Sequence, residues 1–384
     1  MAIQTIRKIL TRDFILAFFA QFASAFVTHI LTPTLPIYLS RLGSTEVEIG
    51  LLIGILGISS LVFRPFIGRA LIKIPEKKFM IAGALLFVLT SVAYLLAPPF
   101  WPLLIVRVFQ GIGFAFFSTA SFILITNISP EAHRGQSLSY FLLAPNISLA
   151  LAPSFGMFLI NHFSFTHLFW VCSGLSLCSL FLTNRLGRRQ VAPLEDSSVE
   201  DGFLLSWKAL PPSMIGFSNH FIWGAITTFF PLYAINSGVS NPGLFFTAIA
   251  IMLILGRALG GRILDLYNRE RVILPCIMTS IISTGILAFS KTQPMFILVA
   301  AIWGIGPAFL IPSLMAYALD RVDSSRRGPA VATLTAMLDL GIALGPVIMG
   351  LVVHLTDYPT MFLCLALIGT INLSYFNFIV RKKR

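Results

Sequence analysis

Arg64-Pro-Phe-Ile-Gly68-Arg69 returns as Arg257-Ala-Leu-Gly-Gly261-Arg262, a spacing of 193 counted from residue 64 to residue 257. The same spacing carries Gly113 to Gly306, Arg134-Gly135 to Arg327-Gly328 and Pro153 to Pro346. Nearer the start of each copy, a spacing of 195 aligns Pro36, Tyr38 and Gly43 with Pro231, Tyr233 and Gly238. A chain that repeats itself in this order consists of two equivalent halves. In an apolar chain, two such halves imply helical bundles that rock about a site between them.

Apolarity is plain from composition. Of 384 residues, 57% are apolar and 11% charged, too little charge to cover the surface of a soluble domain. The apolar residues fall in about twelve runs, each near the ~20 residues that cross a bilayer as helix. In the first half they are 14–39, 47–71, 79–97, 102–128, 137–160 and 165–182; in the second, 211–237, 242–264, 272–289, 295–319, 329–355 and 361–380. The fold expected is an all-α membrane protein: a six-helix bundle over 1–186, a linker over 187–207 and a second six-helix bundle over 208–384.

A net charge of +12 would fit nucleic acid binding if the basic residues lined one soluble face. They do not. They cluster in alternate loops, at Arg7, Lys8, Arg12, Arg64, Arg69, Lys73, Lys77, Lys78, Arg134, Arg185, Arg188, Arg189 and Lys208, and again at Arg257, Arg262, Arg269, Arg271, Arg321, Arg326, Arg327 and Arg381. The opposite loops hold only Arg41 and Lys291. This asymmetry places both termini in the cytoplasm of a cell with an inner or plasma membrane, and it excludes nucleic acid as a partner. Cys172, Cys178, Cys276 and Cys364 lie inside expected spans with no C-x-x-C pair, so neither metal nor cofactor is expected. The first run is too long for the apolar core of a signal peptide and reads as a retained helix.

Polar residues inside spans mark faces turned away from lipid. In the first span Gln21, Ser24, Thr28 and Thr32 make one stripe; in the seventh, Asn219 or His220, Trp223 and Thr227 make another. The 195 spacing superimposes Ser24 on Asn219, Thr28 on Trp223 and Thr32 on Thr227. Both a shared interior cavity and simple helix–helix adhesion fit these stripes. His29 and His220 are candidate proton carriers or hydrogen-bonded packing residues. Arg107, with Gln110 one turn on, is either a cavity cation or an arginine snorkelling to the nearby membrane boundary. Asp339 is the only carboxylate near the middle of any span, some 15 Å into its helix at about 1.5 Å per residue. Proton coupling, a helix–helix hydrogen bond and cation binding all fit it.

These residues resemble the major facilitator superfamily over nearly the whole chain. The loop pattern G-x-x-x-D-[RK]-x-G-[RK]-[RK] is similar to Gly261-Arg-Ile-Leu-Asp265, while in the first half Gly68-Arg69-Ala-Leu is followed by Ile72 where the family has aspartate. The pattern R-x-x-Q-G stands as Arg107-Val-Phe-Gln110-Gly111, and the resemblance implies that this arginine lines the cavity and serves coupling or substrate binding. The glycine-proline pattern of the antiporter branch is degraded to Ala152-Pro153 in the fifth span and better kept as Gly341, Gly345-Pro346 and Gly350 in the eleventh.

A carboxylate is stabilised at a helix N-terminus, so Asp265 is expected to latch onto backbone N–H groups at the start of the fifth span near Gly135 and Gln136, next to Arg134. Its mirror, from the Gly68-Arg69 loop toward Gly328 and its neighbour Arg327, lacks a carboxylate because residue 72 is isoleucine. Salt bridges from Asp265 to Arg262 or Arg269 are the alternative. The function implied is proton-coupled efflux of a small amphipathic organic solute by alternating access, in a monomer, with Trp223 and Trp303 giving the site its aromatic character. Proton-coupled uptake of a sugar or metabolite is the second reading, and a scramblase or receptor the third. Paired catalytic carboxylates and an H-E-x-x-H helix are both missing, so an enzyme is not expected.

Overall fold

A computed structural model describes residues 9–130, 133–187, 206–266, 268–323 and 327–381, with side chains of 257–266 left outside that description. The described residues form twelve long helices: α1 (Arg12–Arg41), α2 (Glu46–Ala70), α3 (Glu76–Leu96), α4 (Trp101–Ile128), α5 (Arg134–Phe141 and Leu143–His162), α6 (Phe165–Asn184), α7 (Leu210–Asn236), α8 (Gly243–Leu266), α9 (Arg269–Leu287), α10 (Gln293–Leu319), α11 (Arg327–Leu355) and α12 (Tyr358–Tyr375). The last runs on into a π-helical turn, Phe376–Val380.

Ten of these are long and apolar enough to cross a membrane. The other two are α7, whose serines, Asn219, His220 and threonines dilute its apolar residues, and α8, whose apolar stretch among the described residues is Gly243–Gly256. The expected linker lies mostly outside the described residues, as do Arg7, Lys8, Arg188 and Arg189.

The duplication is visible in backbone detail. After α1 and α7 the chain turns at Gly43 and Gly238, with φ of 84° and 82°, a left-handed conformation that favours glycine. Ser44 N–H donates to Leu39 O at 3.1 Å, and Val239 N–H to Ala234 O at 2.9 Å. These are the same helix-ending bonds, 195 residues apart. Helix pairs repeat as well. A Cβ at Gly113 would lie 2.9 Å from Leu86 Cβ and 3.2 Å from Gly83 O, and one at Gly306 would meet Thr279 and lie 3.0 Å from Cys276 O. Residues 83 and 86 become 276 and 279 at the 193 spacing. Lipid gives no hydrophobic drive between helices, so such close backbone approach through small residues holds them together.

The chain forms two compact units: Met1–Thr32 with Ile58–Ser198, and Pro33–Gly57 with Val199–Arg384. In the first, α1 is tied to three neighbours. Ser121 Oγ of α4 donates to Gln21 Oε1 at 3.1 Å, Ser179 Oγ of α6 donates to Ala20 O at 2.9 Å, and His29 Nδ1 lies 3.0 Å from Ser148 Oγ of α5. Lys77 Nζ donates to the carbonyls of Asn184 and Leu186 at 2.7 and 2.6 Å. A cation is favoured at that carbonyl-rich helix end.

In the second unit α7 packs on α11. Cβ atoms at Gly224, Gly341 or Gly345 would strike backbone of the facing helix, at Ile342, Phe217 and Phe221 respectively. The other side of α11 meets α2: Gly50 faces Pro346, Gly54 faces Ala343 and Val347, Gly57 faces Ala343, and Gly350 faces Glu46. The seam ends where His354 Nδ1 meets Glu46 Oε2 at 3.4 Å. At the other end of this unit, Arg321 Nη2 donates to Val380 O at 2.6 Å and to Tyr317 OH at 2.9 Å.

Candidate functional site

Arg107 is 6% exposed. Its Nη1 donates to Gln110 Oε1 at 2.8 Å, and Tyr94 OH of α3 donates to the same oxygen at 2.6 Å. The Tyr94 ring stacks on Phe169 of α6, centroids 5.2 Å apart at 14°. A glutamine amide oxygen carries two lone pairs, so both donors are satisfied at one acceptor. The i, i+3 spacing of Arg107 and Gln110 puts them on one helix face. The guanidinium is thus held by groups of α3 and α4, a positive charge fixed within the bundle.

The other first-half candidates bond locally. Thr28 Oγ1 donates to Ser24 O and Thr32 Oγ1 to Thr28 O, each at 3.3 Å. Gln21 and His29 form the interhelix bonds given above. Helix adhesion accounts for these two contacts, while Thr28 stays half-buried with its hydroxyl turned onto its own helix.

In the second half Asn219 Nδ2 donates to Ser280 Oγ of α9 at 2.9 Å and is buried. His220 and Trp223 are half-buried on the neighbouring face of α7, whereas Trp303 is buried. The two indoles lie nearly parallel, centroids 6.3 Å apart at 16°. Asp339 is half-buried on α11. The 193 spacing carries Gln110 to Trp303, so one position holds the centre of a polar network in the first half and an aromatic ring in the second.

Of the latch residues, Gly68 has open space where a side chain would stand, and Arg69, Arg134 and Arg327 are exposed at helix ends. The side chains of Gly261, Arg262 and Asp265 lie outside the described residues. Arg269, the alternative partner for Asp265, pairs with Asp320 and donates to Ala316 O at 2.8 Å. Among the described residues no group of three or more His, Cys, Asp and Glu could hold a metal ion.

Sequence reasoning missed Tyr94, Phe169, Ser280 and Phe246. Tyr94 had a readable signal, because a tyrosine inside an apolar span needs a partner for its hydroxyl. The others are ordinary core residues until the facing helix is known.

The chain matches the family model of the Major Facilitator Superfamily over residues 17–271 and 213–384. It belongs to that superfamily. This superfamily member is a multi-pass integral membrane transporter with a small-molecule substrate. It is similar to the staphylopine export protein of Staphylococcus aureus, 24% identical over 351 residues and 87% of each chain. The quinolone resistance protein NorA, also of Staphylococcus aureus, is 22% identical over 342 residues and 84% of each chain. Among solved structures, the nucleoside transporter NupG superposes with a TM-score of 0.79 at 17% identity, over 97% of this chain and 100% of that one, a likeness of fold alone.

Proposed function

We propose that this transporter exports a small amphipathic organic solute in exchange for protons, as a monomer in a cell's inner or plasma membrane, with both termini cytoplasmic. Alternating access would operate between the halves 1–186 and 208–384. The observation that carries the coupling is Asp339, a carboxyl half-open midway along α11. An ionisable group at membrane depth is costly and marks a proton or ion path. Next to it on α11 the glycines pack against α7, and such a helix pair transmits a change at one residue to the other helix. Arg107 supplies a fixed charge of the opposite sign, suited to an anionic group on the solute. Export as the direction is favoured by the relatives, one named for staphylopine export and one for quinolone resistance. Basic loops at the ends of the spans favour the cytoplasmic termini.

Inside-out vesicles acidified within should accumulate substrate and report proton release on a trapped pH dye. A protonophore should abolish this. Asp339→Asn should lose gradient-driven accumulation while retaining gradient-free exchange, which shows that the variant is folded and binds solute. Accumulation in Asp339→Asn equal to wild type would remove the carboxyl from coupling.

A further inference from the structure

His220, Trp223 and Thr227 follow one another at one-turn spacing on α7, and all three stay half-open while Gly216, Asn219 and Gly224 beside them are buried. The carbonyl of Gly216 can only accept, so His220 Nδ1, 3.2 Å from it, must carry the hydrogen. In the neutral imidazole that leaves Nε2 as a lone-pair acceptor. Thr227 behaves alike, since its hydroxyl donates to Gly224 O at 2.9 Å and presents only its oxygen outward. Between these two acceptors sits the Trp223 ring. Trp303 lies nearly parallel behind it and Phe246 edge-on at 79°, both buried. Trp223 is therefore the ring with surface left to offer, and its indole N–H is the one donor of the three side chains.

Seven residues of helix set the Cα atoms of His220 and Thr227 roughly 10 Å apart along the axis, the scale of a fused tricyclic ring. We propose that this strip selects a planar aromatic solute with N–H or O–H donors at its two ends, the ring lying on Trp223 and the donors reaching His220 Nε2 and Thr227 Oγ1. The claim rests on the reading that this half-open face of α7 meets the transported solute.

The test is equilibrium dialysis of the purified full chain against three neutral probes sharing one ring system: 2,6-diaminoanthraquinone with donors at its ends, anthraquinone with none, and 2,6-dimethoxyanthraquinone with acceptors only. The diamino compound should bind at least about tenfold more tightly than anthraquinone, two net hydrogen bonds giving that much or more. The dimethoxy compound, which brings acceptors against acceptors, should bind no better than anthraquinone. His220→Phe and Thr227→Val should each weaken the diamino compound about fivefold and leave anthraquinone unchanged. His220→Gln and Thr227→Ser, which restore an acceptor, should recover most of the loss.

Equal binding of the diamino compound and anthraquinone by the wild type would overturn the proposal, even if no variant folds. So would equal losses in Thr227→Val and Thr227→Ser. Donor-ordered binding that depends on both residues, with no proton-driven movement in vesicles, would keep the strip and remove the proposed coupling. Proton-driven movement of a solute, with the probes binding in no donor order, would do the reverse.

Discussion

Replacing Gly50 or Gly54 by alanine adds one methyl group to α2 where α11 leaves no room. A Cβ at Gly50 would overlap the Pro346 carbonyl, 3.0 Å from its carbon, and one at Gly54 would lie 2.6 Å from Val347 Cγ2 while striking Ala343 O. Comfortable contact between carbons is about 3.5–4.0 Å, so the helices must separate by roughly 1 Å. Overpacking against rigid backbone costs about 3 kcal/mol at the upper end of its usual range. Alanine returns about 1 kcal/mol of helix propensity. The net loss, about 2 kcal/mol, is close to a 30-fold change in the equilibrium holding the seam shut. The two substitutions together should cost less than their sum, because the first already forces the gap that the second needs.

Gly68 is the internal control: it lies on the same helix with nothing near its missing side chain. In a cysteine-free background carrying Val347→Cys, a smaller side chain on the same seam, maleimide labelling should rise about 30-fold for Gly50→Ala or Gly54→Ala, and the melting temperature should fall. Gly68→Ala should match the parent in labelling and melt no lower. Seam variants that melt and label like Gly68→Ala would refute the close-packed seam.

Arg107→Lys should insert normally yet lose most transport, because an ammonium on a flexible stem cannot reproduce a guanidinium braced against Gln110. Wild-type transport by that variant would return Arg107 to a structural role. Asp357 caps α12, its Oδ1 accepting from Thr360 N–H at 2.8 Å, and these hydrogen bonds hold its carboxyl below the usual aspartate range. A lowered value in the folded state means that the cap is in force above the unfolded carboxyl pKa and is lost as pH falls through the folded one. Asp357→Ala should therefore lower the melting temperature by the same amount from pH 8 to about pH 5, with the gap closing only below about pH 4. A gap independent of pH down to about 3 would assign the effect to packing.

The spans were legible because hydropathy and length are properties of one helix at a time. So was the pairing of Arg107 with Gln110, which needs only helical spacing. Anything that required knowing the facing helix was not legible. Tyr94 reaches Gln110 from α3, Ser280 reaches Asn219 from α9, and Gly50, Gly54 and Gly57 matter only because Ala343 and Pro346 stand opposite. Charge placement identified the loop ends, and Pro145 announces the break in α5 at Leu142, because it has no N–H to donate to the Phe141 carbonyl four residues back. The stripe on α1 was visible as a stripe; that Gln21 is engaged by Ser121 of α4 was not.

Where the two copies still agree, at Gly43 and Gly238 or at Gly113 and Gly306, the chain reverses direction or one backbone rests on another. Where they have parted, at Gln110 and Trp303 or at Thr28 and Trp223, a polar side chain in the first copy gives way to an indole in the second. An ancestral gene doubled in this way inherits its scaffold twice and is free to mutate one lining at a time.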